Sequence, residues 1–106
     1  MITIIIRYQG VNGNARNFAR EMMTSGIVSE IRAEEGNLRY EYLYPVEDEE
    51  AVVLIDSWKD QEALDVHHRS PLMGRIASLR EQYDLHMEVQ KYAPILNDGD
   101  EKYIRK

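Results

Sequence analysis

The chain has 106 residues, no cysteine and a net charge of −6. That length fits one domain, and the absence of cysteine excludes disulfides and thiolate chemistry. With 43% hydrophobic and 30% charged residues the composition is that of a folded globular chain, and the acidic balance argues against a nucleic-acid surface, which needs a basic excess.

No apolar run, Ile4-Ile5-Ile6 included, approaches the length that spans a membrane. No basic region followed by a long apolar core stands at the N-terminus, so no secretory signal is expected. Together with the lack of cysteine this makes a cytoplasmic protein the expectation, without a membrane partner.

Met1 to Gln9 is rich in β-branched residues and ends at Gly10, which predicts a first strand. Val11-Asn12-Gly13-Asn14 is turn chemistry, with Asn14 as a predicted N-cap. Apolar residues then recur at Ala15, Phe18/Ala19, Met22/Met23, Ile27 and Ile31, which is helical spacing. Thr24-Ser25-Gly26 predicts a bend or an early end in that helix. Gly36-Asn37 closes the segment.

Leu38 to Tyr44 alternates, with Leu38, Tyr40, Tyr42 and Tyr44 on one face of a second strand. Such a tyrosine stripe reads as strand packing or a dimer surface. Pro45 and the acidic run Glu47-Asp48-Glu49-Glu50 form a connecting loop, read as a solvated segment and not a metal site. Ala51 to Trp58 is a third strand, apolar on both faces. Asp60 caps a following helix that carries Ala63, Leu64, His67 and His68. Ser70-Pro71 signals a second helix start, so the helix is expected to break near Arg69. Leu72, Ile76, Leu79 and Tyr83 share one face of the continuation. Asp84 to Tyr92 alternates again as a fourth strand; His86, Glu88 and Gln90 share a face there without a third metal ligand in view.

The order β-α-β-β-α-β has its simplest solution in a ferredoxin-like α+β layer, a four-stranded antiparallel sheet with the helices on one face. Strands one and three are apolar on both faces, so the bare face is expected to pack against a second subunit as a homodimer. Residues 94–106 form a tail after the domain (1–93). Its turn at Asn97-Asp98-Gly99-Asp100 leads into Lys102-Tyr103-Ile104-Arg105, either a short strand across the dimer interface or a frayed end.

Three stretches stand in register on this frame: Gly36-Asn37-Leu38-Arg39-Tyr40-Glu41-Tyr42, the strand end Asp56-Ser57-Trp58, and Glu62-Ala63-Leu64-Asp65-Val66-His67 followed by Ser70-Pro71. Together they resemble the antibiotic biosynthesis monooxygenase domain, especially its small bacterial quinol-monooxygenase-like members, over residues 1–93. The resemblance implies a dimeric α+β barrel with a pocket between sheet and helices in each subunit. It implies oxygenation of a small aromatic or quinol by dioxygen, with no metal, flavin or haem cofactor. By the same match His67 would be the catalytic base and Trp58 a pocket wall, with Asp56, Leu72 and Met73 beside the substrate. Leu72 stands where many relatives carry a histidine, and Leu54 where polyketide-oxidising relatives carry an asparagine. The domain also hosts haem degradation and a sugar isomerisation, but Ile76 occupies the place of the axial histidine of haem-degrading relatives. A non-catalytic dimeric binding protein with the same pocket is the alternative.

Histidine suits the base role because its ordinary pKa lies near neutrality. On a helix, His68 is rotated by about 100° from His67 and is expected to point elsewhere.

Overall fold

The computed structural model describes residues 1–96 and 99–106. Its elements run β1 (Ile2–Gln9), α1 (Asn14–Thr24), α2 (Ile27–Arg32), β2 (Asn37–Leu43), β3 (Ala51–Trp58), α3 (Gln61–His68), α4 (Leu72–Gln82) and β4 (His86–Tyr92), followed by a 3₁₀ turn at Asp100–Tyr103. The four strands form one antiparallel sheet in the order β2-β3-β1-β4. This is the ferredoxin-like α+β arrangement, with each of the two helical segments divided in two.

Both divisions follow local chemistry. Gly26 adopts φ 88°, a left-handed conformation that ends α1 and starts α2. Ser70-Pro71 separates α3 from α4, with Pro71 at φ −61° just before the first helical residue of α4. The expected break near Arg69 is therefore present, but the Ser70 hydroxyl does not cap α4; it is buried without a hydrogen-bond partner. Asp60 does cap α3, its carboxylate accepting from the Ala63 amide at 2.8 Å. Asn14 does not cap α1. Gly13 holds that position at φ 77°, and Asn14 instead donates its side-chain amide to the Tyr83 carbonyl at 3.2 Å, tying α1 to the end of α4.

The register of the strands sorts their side chains. Ile4 lies opposite Asp56, Ile6 opposite Leu54 and Tyr8 opposite Val52, all on the helix-covered face. Tyr40 and Tyr42 of β2 share that face. Phe18, Met22, Ile27, Val28, Ile31, Leu64, Ile76 and Leu79 close over it from the four helices. Leu38, assigned to the same face by alternation, is exposed beside a register shift between Asn37 and Arg39. Tyr44 lies past the end of β2, under the Arg16 guanidinium at 4.3 Å.

The opposite face carries Ile5, Val53, Ile55 and Leu43, with Thr3 and Ser57 joined by a 2.8 Å hydrogen bond. Among the described residues no element covers it. The acidic loop is more structured than a solvated run would be. Asp48 accepts from Arg7 at 3.0 Å and Gln9 at 3.2 Å, and Glu50 accepts from the Gly13 amide at 3.1 Å. Asp48 and Glu50 thus serve as anchors because the polar end of β1 and the turn after it lie beside them. In the tail, residues 100–103 form an exposed 3₁₀ turn, with no strand pairing among the described residues. The Asn97-Asp98 part of the expected turn lies outside the described residues.

Gly36 is the tightest point of the α2–β2 connection. It adopts φ 84°, its carbonyl accepts from the Lys59 amide at 2.8 Å, and a Cβ there would lie 2.7 Å from the Ala63 Cβ. Gly36→Ala is expected to lower stability by about 1–3 kcal/mol through left-handed strain and this clash. Urea denaturation followed by circular dichroism checks it.

Candidate functional site

The site is built where the end of β3 meets the end of α3. Alternation along β3 sends Asp56 and Trp58 to the helix-covered face two residues apart. The Trp58 indole Nε1–H donates to Asp56 Oδ1 at 2.7 Å, inside the core. His67, in the last turn of α3, lays its ring over that indole, with ring centres 4.6 Å apart and planes inclined by 27°. Its Nδ1 is 2.7 Å from Glu34 Oε2, which follows the end of α2. A carboxylate carries no hydrogen, so Nδ1–H is the donor in this pair and Nε2 is the nitrogen that Glu34 does not hold.

Asp56 is only 5% exposed and His67 only 3%. Burial pushes the Asp56 carboxyl up to about 7, helped by the negative charge of Glu34; the Trp58 hydrogen bond and the Arg80 charge act against this. An acid whose proton is half-dissociated near neutral pH is a proton donor and acceptor in the same range.

A cavity of about 180 Å³ lies between sheet and helices. Its polar side is made by Tyr40, Asp56, His67, His68 and Arg80, and its hydrocarbon by Ile4, Ile6, Leu54, Met73, Ile76, Met87 and Val89. Arg80 enters from α4 and donates from Nε to the Tyr8 hydroxyl at 3.1 Å. Burial raises the pKa of the Tyr8 and Tyr40 phenols, which leaves both neutral. Among the described residues no group of three or more metal-ligating side chains converges.

Of the residues proposed from sequence, His67, Asp56 and Met73 line the cavity. Trp58 does not. It is wholly buried behind His67, so its indole is a support for the imidazole and the hydrogen-bond donor that orients Asp56, not a wall. Leu72 is also absent from the lining; it packs partly buried against the core. His68 was expected to point away, yet it lines the same cavity. The reason is that the cavity is wide enough for two adjacent positions at the end of a helix to border it. Burial lowers the His68 pKa, and the neighbouring His67 acts in the same direction. His86 lies across the sheet, on the face opposite the cavity.

Three participants escaped the sequence reading. Arg80 follows Met73 and Ile76 on one helical stripe (i, i+3, i+7), a spacing visible in the chain that by itself does not mark a site. Tyr40 belongs to the stripe that reads in sequence as strand packing or a dimer surface. Glu34 carries no local signal at all, because only the approach of α2 to α3 brings it to His67.

The family profile of the antibiotic biosynthesis monooxygenases matches residues 1–78, and the chain belongs to that family. No curated protein matches the chain. Among solved structures, SnoaB, a cofactor-independent oxygenase from Streptomyces nogalater, is 14% identical, with a TM-score of 0.76 over 92% of this chain and 96% of its own. The protein PA3566 from Pseudomonas aeruginosa is 24% identical, with a TM-score of 0.75 over 89% of this chain and 93% of its own. A protein from Deinococcus radiodurans, provisionally assigned as an antibiotic biosynthesis monooxygenase, gives a TM-score of 0.78 at 14% identity, over 90% of this chain and 93% of its own. At these identities the structures establish the shared fold. No helix of the described residues is long and apolar enough to cross a membrane.

Asp56 makes a measurable contribution to the pH dependence of stability. Between the ordinary carboxylate range and about 7, the folded protein keeps a proton on Asp56 that the unfolded chain releases. Stability therefore falls as pH rises through that window and is level above it. Asp56→Asn keeps an oxygen for the Trp58 indole but cannot ionise. It is expected to gain about 1–4 kcal/mol over wild type at pH 8, with the gain shrinking towards pH 4. Urea midpoints measured across this range test the sign.

Proposed function

We propose that this chain is a cofactor-independent monooxygenase acting on a small phenol or hydroquinone with a single ring. The observation that carries the reading is the 180 Å³ cavity with the buried Asp56 and His67 on its polar side. A cavity of about 150 Å³ holds benzene, so one hydroxylated ring suits a space of this size. Family membership and the likeness of fold to a cofactor-independent oxygenase support the chemistry.

In this reading His67 accepts the proton of the ring hydroxyl at Nε2, while Glu34 holds Nδ1–H and Trp58 fixes the plane of the imidazole. Asp56, aimed by the indole hydrogen bond, binds the substrate hydroxyl; the Arg80 cation favours the phenolate. The electron-rich phenolate passes one electron to dioxygen, and the resulting radicals join at a ring carbon as a peroxide. That carbon loses its hydrogen as a proton, the outer oxygen leaves as water, and the inner oxygen remains as the carbonyl of a quinone. One phenol and one dioxygen thus give one quinone and one water. Hydrocarbon from Ile4, Ile6, Leu54, Met73 and Ile76 keeps bulk water from the intermediate.

The homodimer belongs to the same proposal. Ile5, Val53, Ile55 and Leu43 form an apolar patch on the sheet face that the helices leave open, and a second copy of that face is the simplest cover. Sedimentation is expected to give twice the 12.4 kDa of one chain; Ile55→Lys is expected to give the monomer.

Oxygen uptake with monocyclic hydroquinones tests the activity. His67→Ala is expected to lower turnover by about 10²-fold, the scale of losing a general base, with the circular dichroism spectrum unchanged. A wild-type protein that binds such rings without consuming oxygen would instead be a binding protein.

A further inference from the structure

One side chain borders both the cavity and a groove on the outer side of the protein. The groove, of about 300 Å³, is lined by Glu34, Glu35, Lys59, Asp60, Glu62, Ala63, Val66 and His67. Comparing this lining with that of the cavity, His67 is the single residue common to both among the described residues. Glu34 belongs to the groove alone, and its side chain is 19% exposed against 3% for His67. The two meet at 2.7 Å, a short hydrogen bond suited to proton transfer.

We propose that His67 and Glu34 form a proton relay between the cavity and the water of the outer groove, with Glu34 as its surface port. The proposal rests on the reading of the cavity as the reaction site.

A buried base must exchange its proton with solvent, and the His67 ring is only 3% exposed. The imidazole solves this with two nitrogens. As one substrate proton arrives at Nε2, the proton of Nδ1 passes to Glu34 Oε2, and the carboxylic acid releases it to the groove. The ring is then neutral, with its hydrogen on Nε2. When the developing peroxide takes that hydrogen, Nδ1 recovers one from the groove through Glu34. One proton leaves and one returns, so the ring ends in its starting tautomer and the carboxylate in its starting charge. Trp58 is stacked on the ring at 4.6 Å and opposes a flip that would carry the proton by rotation. Transfer through the ring, with the ring held still, is the path the geometry leaves. Glu35 lines the same groove but is 92% exposed and pairs with Lys59 at 3.1 Å, so it stands outside the relay.

The test separates relay from mere support because glutamine keeps an acceptor for Nδ1–H but does not take up its proton. In substrate-free protein labelled at histidine nitrogen, the His67 ring N–H is expected to show saturation transfer from water in wild type and in Glu35→Gln. Glu34→Gln is expected to lose it while keeping the Nδ1–H tautomer. Equal transfer in wild type and Glu34→Gln would overturn the relay, whatever the protein's activity. Loss of transfer in a protein that consumes no oxygen would uphold the relay as a path and sink the oxygenase reading alone. With an active substrate, Glu34→Gln is expected to lower kcat by about 10²-fold with little change in KM. Should Glu34→Gln fail to fold, Glu34→Ala serves, with formate added as a diffusible acid: restored kcat supports the port, and no restoration in a folded variant opposes it.

Discussion

The site depends on a carboxyl group buried where a charge is costly. Asp56 sits on the core face of a central strand, flanked by Ile4 across the sheet. What makes the position tolerable is the Trp58 indole, the same strand's next inward residue, donating at 2.7 Å. Two residues of strand spacing thus supply both the acid and its donor. Everything else at the polar side is arranged around that pair. His67 covers the indole, Glu34 orients His67, and Arg80 places a positive charge on the same cavity. Removing Trp58 would disturb both Asp56 and His67 without touching a ligand in the cavity.

The sheet serves two environments with one backbone. Its helix-covered face is closed by side chains from α1 to α4, leaving a small cavity lined by α3, α4 and all four strands. Its other face carries a modest apolar patch framed by polar groups such as Arg39 and Glu41, which pair at 2.8 Å. β4 is an edge strand and is exposed throughout, yet Met87 and Val89 still border the cavity. One wall of the candidate site therefore lies at the thin margin of the sheet. An opening there disturbs less packing than one through the helix layer, whose side chains lie in the core.

Burial also sorts the ionisable groups by role. The Tyr8 and Tyr40 phenols are pushed up by loss of solvent and stay neutral. His68 is pushed down by the same cause. Asp56 is moved to about 7, where both its forms are present together. One physical effect thus yields a neutral phenol at Tyr40, a neutral imidazole at His68 and an exchangeable acid at Asp56 around a single cavity.

The strand and helix periods were legible in the chain, as were the breaks at Gly26 and Ser70-Pro71 and the cap at Asp60, because backbone preference and side-chain spacing act within a few residues. The family resemblance followed from three motifs in order, and it led to His67, Asp56 and Met73. The tertiary structure decided what those motifs touch. Trp58 became a support and not a wall because His67 lies over it. Leu72 went to the core, and His68 and Arg80 came to the cavity. Glu34 found His67 across 33 residues of chain. Alternation and helical spacing say which face a residue takes, but not which residue from another element arrives there first, and that contest is settled only by packing.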